Sequence, residues 1–219
     1  MVGNDVVDLR DPDTAPGSTS LRFDARVFCE EELDSLASSP SRVRRRWRLW
    51  AAKEAAYKLC VKRDPTTVFA PSRFRVRLAE GAREASVQTP CGVVRVRLRE
   101  EDDHLHAVAT TAPAGEIVSG AGRIAAARPG LSQGDDPSAA VRRFALDRLA
   151  RRLAVRPGTL EIRKCGRVPV LWQAGAPAAG DLSLSHHGGA VAFAYERSAQ
   201  APVESCVAGS RAAVSGGSG

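Results

Sequence analysis

The sequence lacks a long apolar run. None of its hydrophobic stretches approaches the roughly 20 residues that a membrane-spanning helix needs. Its first residues, MVGNDVVDLRDPD, are acidic and lack the basic-then-apolar layout of a secretory signal peptide. These absences argue against a membrane-spanning or secreted protein, and we expect a cytoplasmic protein that does not bind membranes.

Paired cysteines are also missing. The chain has five cysteines, none in a C-x-x-C pair: Cys29, Cys60, Cys91, Cys165 and Cys206. An odd, scattered set argues against a disulfide framework and against a zinc ribbon. We expect free thiols that are buried or half-buried.

Aromatic residues are few, at 5% of the chain, whereas basic residues exceed acidic ones by 32 to 25, a net charge of +7. A basic protein favours anionic partners such as nucleic acids, phosphorylated small molecules or acidic proteins. The sequence offers neither an interleaved aromatic platform nor a known nucleic-acid-binding motif. We therefore expect no nucleic-acid partner.

The hydrophobic pattern predicts an α+β protein. Its elements are a first strand in GNDVVDL, helices near residues 21–37 and 41–60, four alternating strands up to residue 111, a strand in EIVSGAGRIAA, a helix after Asp136-Pro137, and four short strands up to residue 197. This order predicts two similar lobes, each a helix packed on a small antiparallel sheet. We place them at residues 1–112 and 113–198, with a disordered tail at 199–219.

Three stretches contain candidate functional residues. In the strand GNDVVDL, Asp5 and Asp8 should point to opposite faces. In the helix RLWAAKEAAYKLC, Trp50, Glu54 and Lys58 should lie along one face. A carboxylate and an ammonium group together, supported by a second carboxylate, can hold a divalent cation and a phosphate. Taken singly, each feature also fits a strand-end aspartate or a surface ion pair.

The third stretch is LSLSHHGG, with His186 and His187 at its centre. It fits phosphate binding, a structural strand end, or a zinc site shared with His104 and His106, although no further ligand sits at zinc-like spacing. A Ser-His hydrolase is disfavoured because no G-x-S-x-G motif is present.

Together, these stretches resemble the 4′-phosphopantetheinyl transferase superfamily. GNDVVDL is similar to its G-[IV]-D-[IV]-[VE] strand, and RLWAAKEAAYK to its W-x-x-K-E-A-x-x-K helix. CGRVPVLW and LSLSHHGGAVAFA are similar to its G-[KR]-P segment and S-x-S-H strand. The resemblance covers residues 3–196 and implies a two-lobed monomer in which the halves of the larger members occur in swapped order.

The resemblance also implies an activity. Members transfer 4′-phosphopantetheine from coenzyme A to a serine of an apo acyl or peptidyl carrier protein, and they release adenosine 3′,5′-bisphosphate. A non-catalytic module of the same fold that binds carrier proteins or another acidic partner is the alternative. By the same resemblance, Asp5 and Glu54 would hold Mg²⁺, Glu54 would accept the serine proton, and Lys58 would stabilise the leaving phosphate.

The coenzyme A phosphates would be bound by Ser185 and His186, the 3′-phosphate by Arg167, and Arg143 would assist. Some members have a third carboxylate where this chain has Val7, so two protein carboxylates are expected on the metal. GRVP has one residue more than G-K-P. The arginines from Arg42 to Arg48 could form a basic rim that attracts coenzyme A and an acidic carrier protein, or only a solvated helix face.

Overall fold

The computed structural model describes residues 1–111, 116–124, 136–156 and 158–198. The expected disordered tail, 199–219, lies outside these residues. The α+β prediction is confirmed. Within the described ranges, no helix is both long enough and apolar enough to cross a membrane.

The first part of the chain forms a helix-covered antiparallel sheet. Its strands lie in the order β1-β5-β4-β3-β2. The elements are β1 (Val2–Asp8), α1 (Leu21–Val27), α2 (Glu30–Ala37), α3 (Arg42–Arg63), β2 (Arg75–Leu78), β3 (Glu84–Thr89), β4 (Gly92–Glu100) and β5 (His104–Thr110). The alternating strands bury one face against α3 and leave the opposite face of β2, β3 and β4 exposed.

The second part forms two three-stranded sheets with one helix. Their strand orders are β10-β11-β6 and β7-β8-β9. The elements are β6 (Ile117–Arg123), α4 (Pro137–Arg152), β7 (Leu160–Cys165), β8 (Val168–Gln173), β9 (Ala176–Pro177), β10 (Gly180–His187) and β11 (Ala190–Arg197). Helix α4 starts as predicted, because the Asp136 side chain accepts a hydrogen bond from the Ser138 amide and Pro137 follows it.

Two local expectations need correction. The helical pattern over residues 21–37 is broken at Phe28–Cys29, where the backbone is extended, so it forms two helices. Cys29, Cys60 and Cys91 are free thiols, whereas Cys165 is disulfide-bonded, so the expectation of free thiols is wrong at Cys165.

We call these two parts of the chain the first and the second lobe. They pack together through β1. Val2 packs with Val108 and Ala194, and Val6 packs with Ala190 and Ala192. One face of β1 therefore meets β11 of the second lobe, while its other face lies against α3. This arrangement places β1 at the centre of the molecule and buries all seven of its residues.

Candidate active site

Strand β1 and helix α3 are in unusually close contact. A Cβ atom at Gly3 would overlap the backbone oxygen of Ala55 and would lie 2.8 Å from the Leu59 amide nitrogen. Only glycine therefore allows the strand to approach this turn of the helix. The close approach brings Asp5, two residues along the strand, within reach of the side chains of α3.

Asp5, Glu54 and Lys58 form the centre of the candidate site. The Lys58 Nζ lies 2.8 Å from Asp5 Oδ1. Glu54 is one helical turn before Lys58, half-buried, and close enough to Asp5 for its pKa to respond to that charge. The structure thus brings together the three residues that the sequence predicted as catalytic.

The Glu54 carboxyl is held in an unfavourable environment for a negative charge. Burial, and then the nearby charge of Asp5, raise its pKa from 4.5 to about 7, while Lys58 acts in the opposite direction. Two carboxylates that repel each other suit a hard divalent cation, whose charge would relieve the repulsion.

Whether these residues fit Mg²⁺ depends on the donor set. No group of three or more His, Cys, Asp or Glu side chains in the described ranges is placed to hold a metal ion. Mg²⁺, however, commonly binds through one or two carboxylates and keeps water and substrate phosphates as its other ligands. The two carboxylates of Asp5 and Glu54 match that pattern, so the donor set fits.

Ser185 connects the second lobe to this group. Its hydroxyl donates a 2.9 Å hydrogen bond to Asp5 Oδ1 and accepts a 3.1 Å hydrogen bond from Lys58 Nζ. It also lies 3.2 Å from the Val6 amide nitrogen, which donates to it. Ser185 is buried, and its hydroxyl is engaged by the first lobe.

The contact of Ser185 with β1 is one of a regular series. The amide groups of alternate β1 residues donate to side chains of alternate β10 residues: Val2 to Asp181, Asn4 to Ser183, Val6 to Ser185 and Asp8 to His187. These side chains saturate the edge of β1 that faces away from β5. We call these four contacts the β1–β10 seam.

The two histidines of the third motif point in different directions. His187 Nδ1 accepts the 3.1 Å hydrogen bond from the Asp8 amide, whereas His186, one residue earlier, is exposed. His106 is buried in the first lobe with its Nε2 3.4 Å from Asn4 Nδ2. His104 contacts Asp103. The four histidines have separate partners and surroundings, which disfavours the zinc alternative.

The two predicted coenzyme A arginines lie on other elements than the residues of this group. Arg167 is exposed in the turn between β7 and β8, and Arg143 is exposed on α4. Neither is among the hydrogen-bonding or ion-pairing partners of Asp5, Lys58 or Ser185. Their predicted roles remain predictions.

A comparison with known protein families decides the assignment. The model described as "ACPS: 4'-phosphopantetheinyl transferase superfamily" matches residues 1–109, about half of the 219-residue chain. The chain belongs to the 4′-phosphopantetheinyl transferase superfamily. The matched region contains Gly3, Asp5, Glu54 and Lys58.

Further comparisons add little to the superfamily assignment. A solved structure titled "Crystal structure of Thermotoga maritima holo-[acyl-carrier-protein] synthase (AcpS)" is 17% identical, with a TM-score of 0.39. The alignment covers 80% of this chain and 83% of that chain. With so low a TM-score, the superfamily assignment depends on the family match. A search of curated proteins finds no match.

Lys53, the lysine of the K-E-A motif, makes buried contacts that stabilise the fold of this superfamily member. Lys53 is fully buried, and its Nζ lies 2.7 Å from Glu32 Oε2 and 3.0 Å from the Pro71 carbonyl oxygen. Burial lowers its pKa, although Glu32 opposes the shift. Glu32 also accepts hydrogen bonds from the Cys29 and Val76 amides. Lys53 therefore anchors α3 to α2 and to the segment that leads into β2.

Lys62 is a residue of the inter-lobe contact that the sequence reasoning missed. Its Nζ donates to the Val2 carbonyl at 2.7 Å, to Asp181 Oδ1 at 2.8 Å and to the Leu182 carbonyl at 2.7 Å. Lys62 lies four residues after Lys58 and continues its stripe of α3. That spacing, together with the alternation of polar residues at Asp181, Ser183 and Ser185, is the sequence pattern that could have indicated the role of Lys62.

Asp8 lies outside the Asp5 group, as its strand position predicted. It accepts hydrogen bonds from Arg123, from the Arg10 amide and from the Gly189 amide. Burial tends to raise the pKa of Asp8, but these donors outweigh it and lower the pKa. Asp8 therefore holds the β10–β11 turn against the first lobe.

Most of the arginines from Arg42 to Arg48 are ion-paired. Arg42 and Arg46 bind Asp24, and Arg44 and Arg48 bind Glu100. Both carboxylates offset part of the positive charge on this surface of α3. This pairing gives the arginines a structural role and weakens the prediction of a basic rim.

Proposed function

We propose that this superfamily member transfers 4′-phosphopantetheine from coenzyme A to a serine hydroxyl of an apo acyl or peptidyl carrier protein, with Mg²⁺, and releases adenosine 3′,5′-bisphosphate. The observation that carries the proposal is the contact of Asp5 and Lys58 with Ser185, with Glu54 within electrostatic reach of both Asp5 and Lys58. Two carboxylates, an ammonium group and a hydroxyl converge where the two lobes meet.

Asp5 and Glu54 are the residues that would hold Mg²⁺. When bound, Mg²⁺ neutralises charge on phosphate oxygens, which is a main contribution to catalysis of transfer at phosphorus. Asp5 is suited to this position because Gly3 and α3 fix its strand and Ser185 fixes its Oδ1.

Glu54 is suited to accept the proton of the carrier serine, directly or through a water molecule. A base is most effective when its pKa lies near the operating pH, and the pKa of Glu54 is about 7 in this structure. The half-buried position on α3 keeps the carboxylate accessible to a substrate hydroxyl.

Lys58 is suited to stabilise the charge that develops on the leaving bisphosphate. Its ammonium group is held by two acceptors, Asp5 and Ser185, and its side chain is still 29% exposed. An ammonium group that is already oriented in this way costs little reorganisation when a phosphate arrives.

The coenzyme A phosphates would be bound from the second lobe. We propose His186 for this contact because it is exposed beside Ser185 on β10. Ser185 would contribute by orienting Lys58, since its hydroxyl already has partners in the first lobe. Arg167 and Arg143 complete the proposal as ligands of the 3′-phosphate; both are exposed.

One chain would supply the whole site. The lobes at residues 1–112 and 113–198 would correspond to the halves of the larger members in swapped order, working as a cytoplasmic monomer. The β1–β10 seam supports this part of the proposal, because it places Ser185 of one lobe against Asp5 of the other within a single chain.

The test is a transfer assay on a panel of apo carrier proteins. Each is incubated with the protein, coenzyme A and Mg²⁺ and is then weighed by mass spectrometry. We expect the mass of a phosphopantetheinyl group on at least one carrier. The expected losses are at Glu54→Ala and Lys58→Met, with the exposed-site variants Asp147→Ala and Lys164→Met as matched controls.

Three results would contradict the proposal. Carrier proteins that bind without gaining mass would favour the non-catalytic module of the same fold. Unimpaired transfer by Glu54→Ala, with folding verified by circular dichroism, would remove Glu54 from the mechanism. A stable trimer in solution with sites between chains would contradict the monomer.

A further inference from the structure

The exposed face of the five-stranded sheet is rich in arginine. Strands β2 and β4 alternate buried valines or leucine, which pack toward α3, with exposed arginines that point to the other side. The arginines on this face are Arg75, Arg77, Arg95, Arg97 and Arg99. Pairing between the strands brings Arg77 and Arg95 to the two sides of Ser86 on β3.

Three of these arginines line a cleft. Its volume is about 590 Å³, a size typical of sites for small molecules. Arg77, Arg95 and Arg97 line it together with three hydroxyl-bearing side chains, Ser86, Thr110 and Ser119. Ser119 and Ile117 belong to β6, so the edge strand of the second lobe forms one wall of the cleft.

The charge in this cleft is largely uncompensated. Within the described ranges, neither Arg77, Arg95 nor Arg97 makes a hydrogen bond or an ion pair with a carboxylate, in contrast to the arginines of α3 that bind Asp24 and Glu100. One acidic residue, Glu84, lines the cleft and lies opposite Arg97 in the β3–β4 register. Among the described lining residues, three guanidinium groups and one carboxylate leave a net charge of about +2, and Glu31, outside the cleft, interacts electrostatically with Arg77.

These groups define the chemistry of a ligand. Guanidinium groups bind phosphate through paired N–H donors, and hydroxyl groups add further donors to phosphate oxygens. None of the described residues that line the cleft is aromatic, so none of them would stack on a nucleobase. Three guanidinium groups and three hydroxyl groups offer more donors than the oxygens of one phosphate accept, which favours two phosphoryl groups, and the apolar side chains of Val108 and Ile117 suit a short aliphatic part.

The cleft is separate from the candidate active site. Asp5 pairs with Ala107 on the sheet face that packs against α3, whereas Val108 and Thr110, which line the cleft, alternate with it on the opposite face. A molecule bound to Arg95 would have the sheet between it and Lys58. The cleft and the candidate site thus share no residue.

We propose that this cleft is a second binding site, for a small molecule that carries two phosphoryl groups. The proposal does not depend on the proposed transferase function, since none of its residues belongs to the Asp5 group. Occupation of the cleft would bridge β4 and β6, and so would join the two lobes at a place distant from the β1–β10 seam.

The test uses inorganic pyrophosphate as the probe. Isothermal titration calorimetry is performed on the full chain at low ionic strength without divalent cations, in the Lys58→Met background, where anion binding at the candidate active site is weakened. We expect saturable binding of one pyrophosphate per chain. Arg95→Gln should weaken it by roughly tenfold or more, the loss typical of a charged hydrogen-bond pair.

Arg75→Gln is the matched control, because Arg75 lies on the same strand and face as Arg77 but does not line the cleft. It should change the affinity by less than about twofold. Equal losses in Arg75→Gln and Arg95→Gln would reveal unspecific attraction to a basic face and overturn the proposal. Absence of saturable pyrophosphate binding would also overturn the proposal. So would an acidic protein that binds the wild-type chain but not Arg95→Gln, when pyrophosphate binds neither. Thermal unfolding of each variant verifies that the fold is intact.

Discussion

Glu54 offers a test of the site that needs no substrate. Its pKa in the folded protein is about 7 against 4.5 for the ordinary side chain, mainly because of burial and then the charge of Asp5. Because the pKa is higher in the folded protein, the Glu54 carboxyl ionises at a lower pH in the unfolded chain than in the folded one. An increase in pH therefore favours unfolding. The difference of about 2.5 pKa units corresponds to about 3 kcal/mol as an upper estimate.

The pH window follows from these two values. Below pH 4.5 the carboxyl is protonated in both states, so Glu54 and a neutral glutamine should be equivalent. Between pH 4.5 and 7 the stabilising effect of the proton is lost, and above pH 7 the full cost of the buried charge remains. Glu54→Gln, which stays neutral, should therefore be more stable than wild type at pH 8 by up to about 3 kcal/mol.

The assay is urea unfolding of both proteins at pH 4.5 and pH 8 without divalent cations. Glu161→Gln, at an exposed position on β7, controls for the loss of a surface charge. Adding Mg²⁺ at pH 8 should stabilise wild type more than Glu54→Gln, because the cation relieves the repulsion between Glu54 and Asp5. A stability difference between the two proteins that is the same at both pH values would refute this account of Glu54.

Three further outcomes are expected. Gly3→Ala should destabilise the fold by on the order of 3 kcal/mol in urea unfolding, because the new methyl group overlaps the Ala55 carbonyl; a neutral effect would contradict the close packing. Lys53→Ala should cost about 3–5 kcal/mol by leaving Glu32 charged and buried, and adding Glu32→Gln should restore part of that loss in the same measurement. Ser185→Ala should lower kcat for carrier modification by roughly tenfold through misplacement of Lys58, with the fold retained by circular dichroism; unchanged kcat would assign Ser185 to the seam alone.

Local patterns in the sequence predicted most of the secondary structure. Alternation of apolar and polar residues predicted the strands of the first sheet, and the same period placed Asp5 and Asp8 on opposite faces. The break between α1 and α2 was not predicted. It depends on tertiary contacts, because Phe28 is buried in the core and Glu32 reaches back to the Cys29 amide and across to Val76.

The candidate site was predictable only in part. Helical spacing placed Glu54 and Lys58 on one face, but their meeting with Asp5 depends on the packing of β1 on α3, where Gly3 permits the approach. The raised pKa of Glu54 is a consequence of burial, and a sequence motif does not indicate how deeply a side chain is buried. The involvement of Lys62 depends on residues more than a hundred positions away.

The β1–β10 seam shows how side chains of the second lobe stabilise the edge strand of the first. Strand β1 is the edge of its sheet, and an edge strand presents a row of unpaired amide groups. Side chains of β10 satisfy four of these amides, and Lys62 binds a carbonyl of each strand. Because buried amides without partners are costly, the lobes hold each other in register.

That register fixes the chemistry as well as the fold. Ser185 takes part in the seam through the Val6 amide and in the candidate site through Asp5 and Lys58. A shift of β10 by one residue would replace Ser185 with His186 or Leu184, and neither side chain could bond all three groups in the same way. The alternation of polar residues along β10 therefore serves two purposes: it closes the edge of β1, and it places one hydroxyl between a carboxylate and an ammonium group.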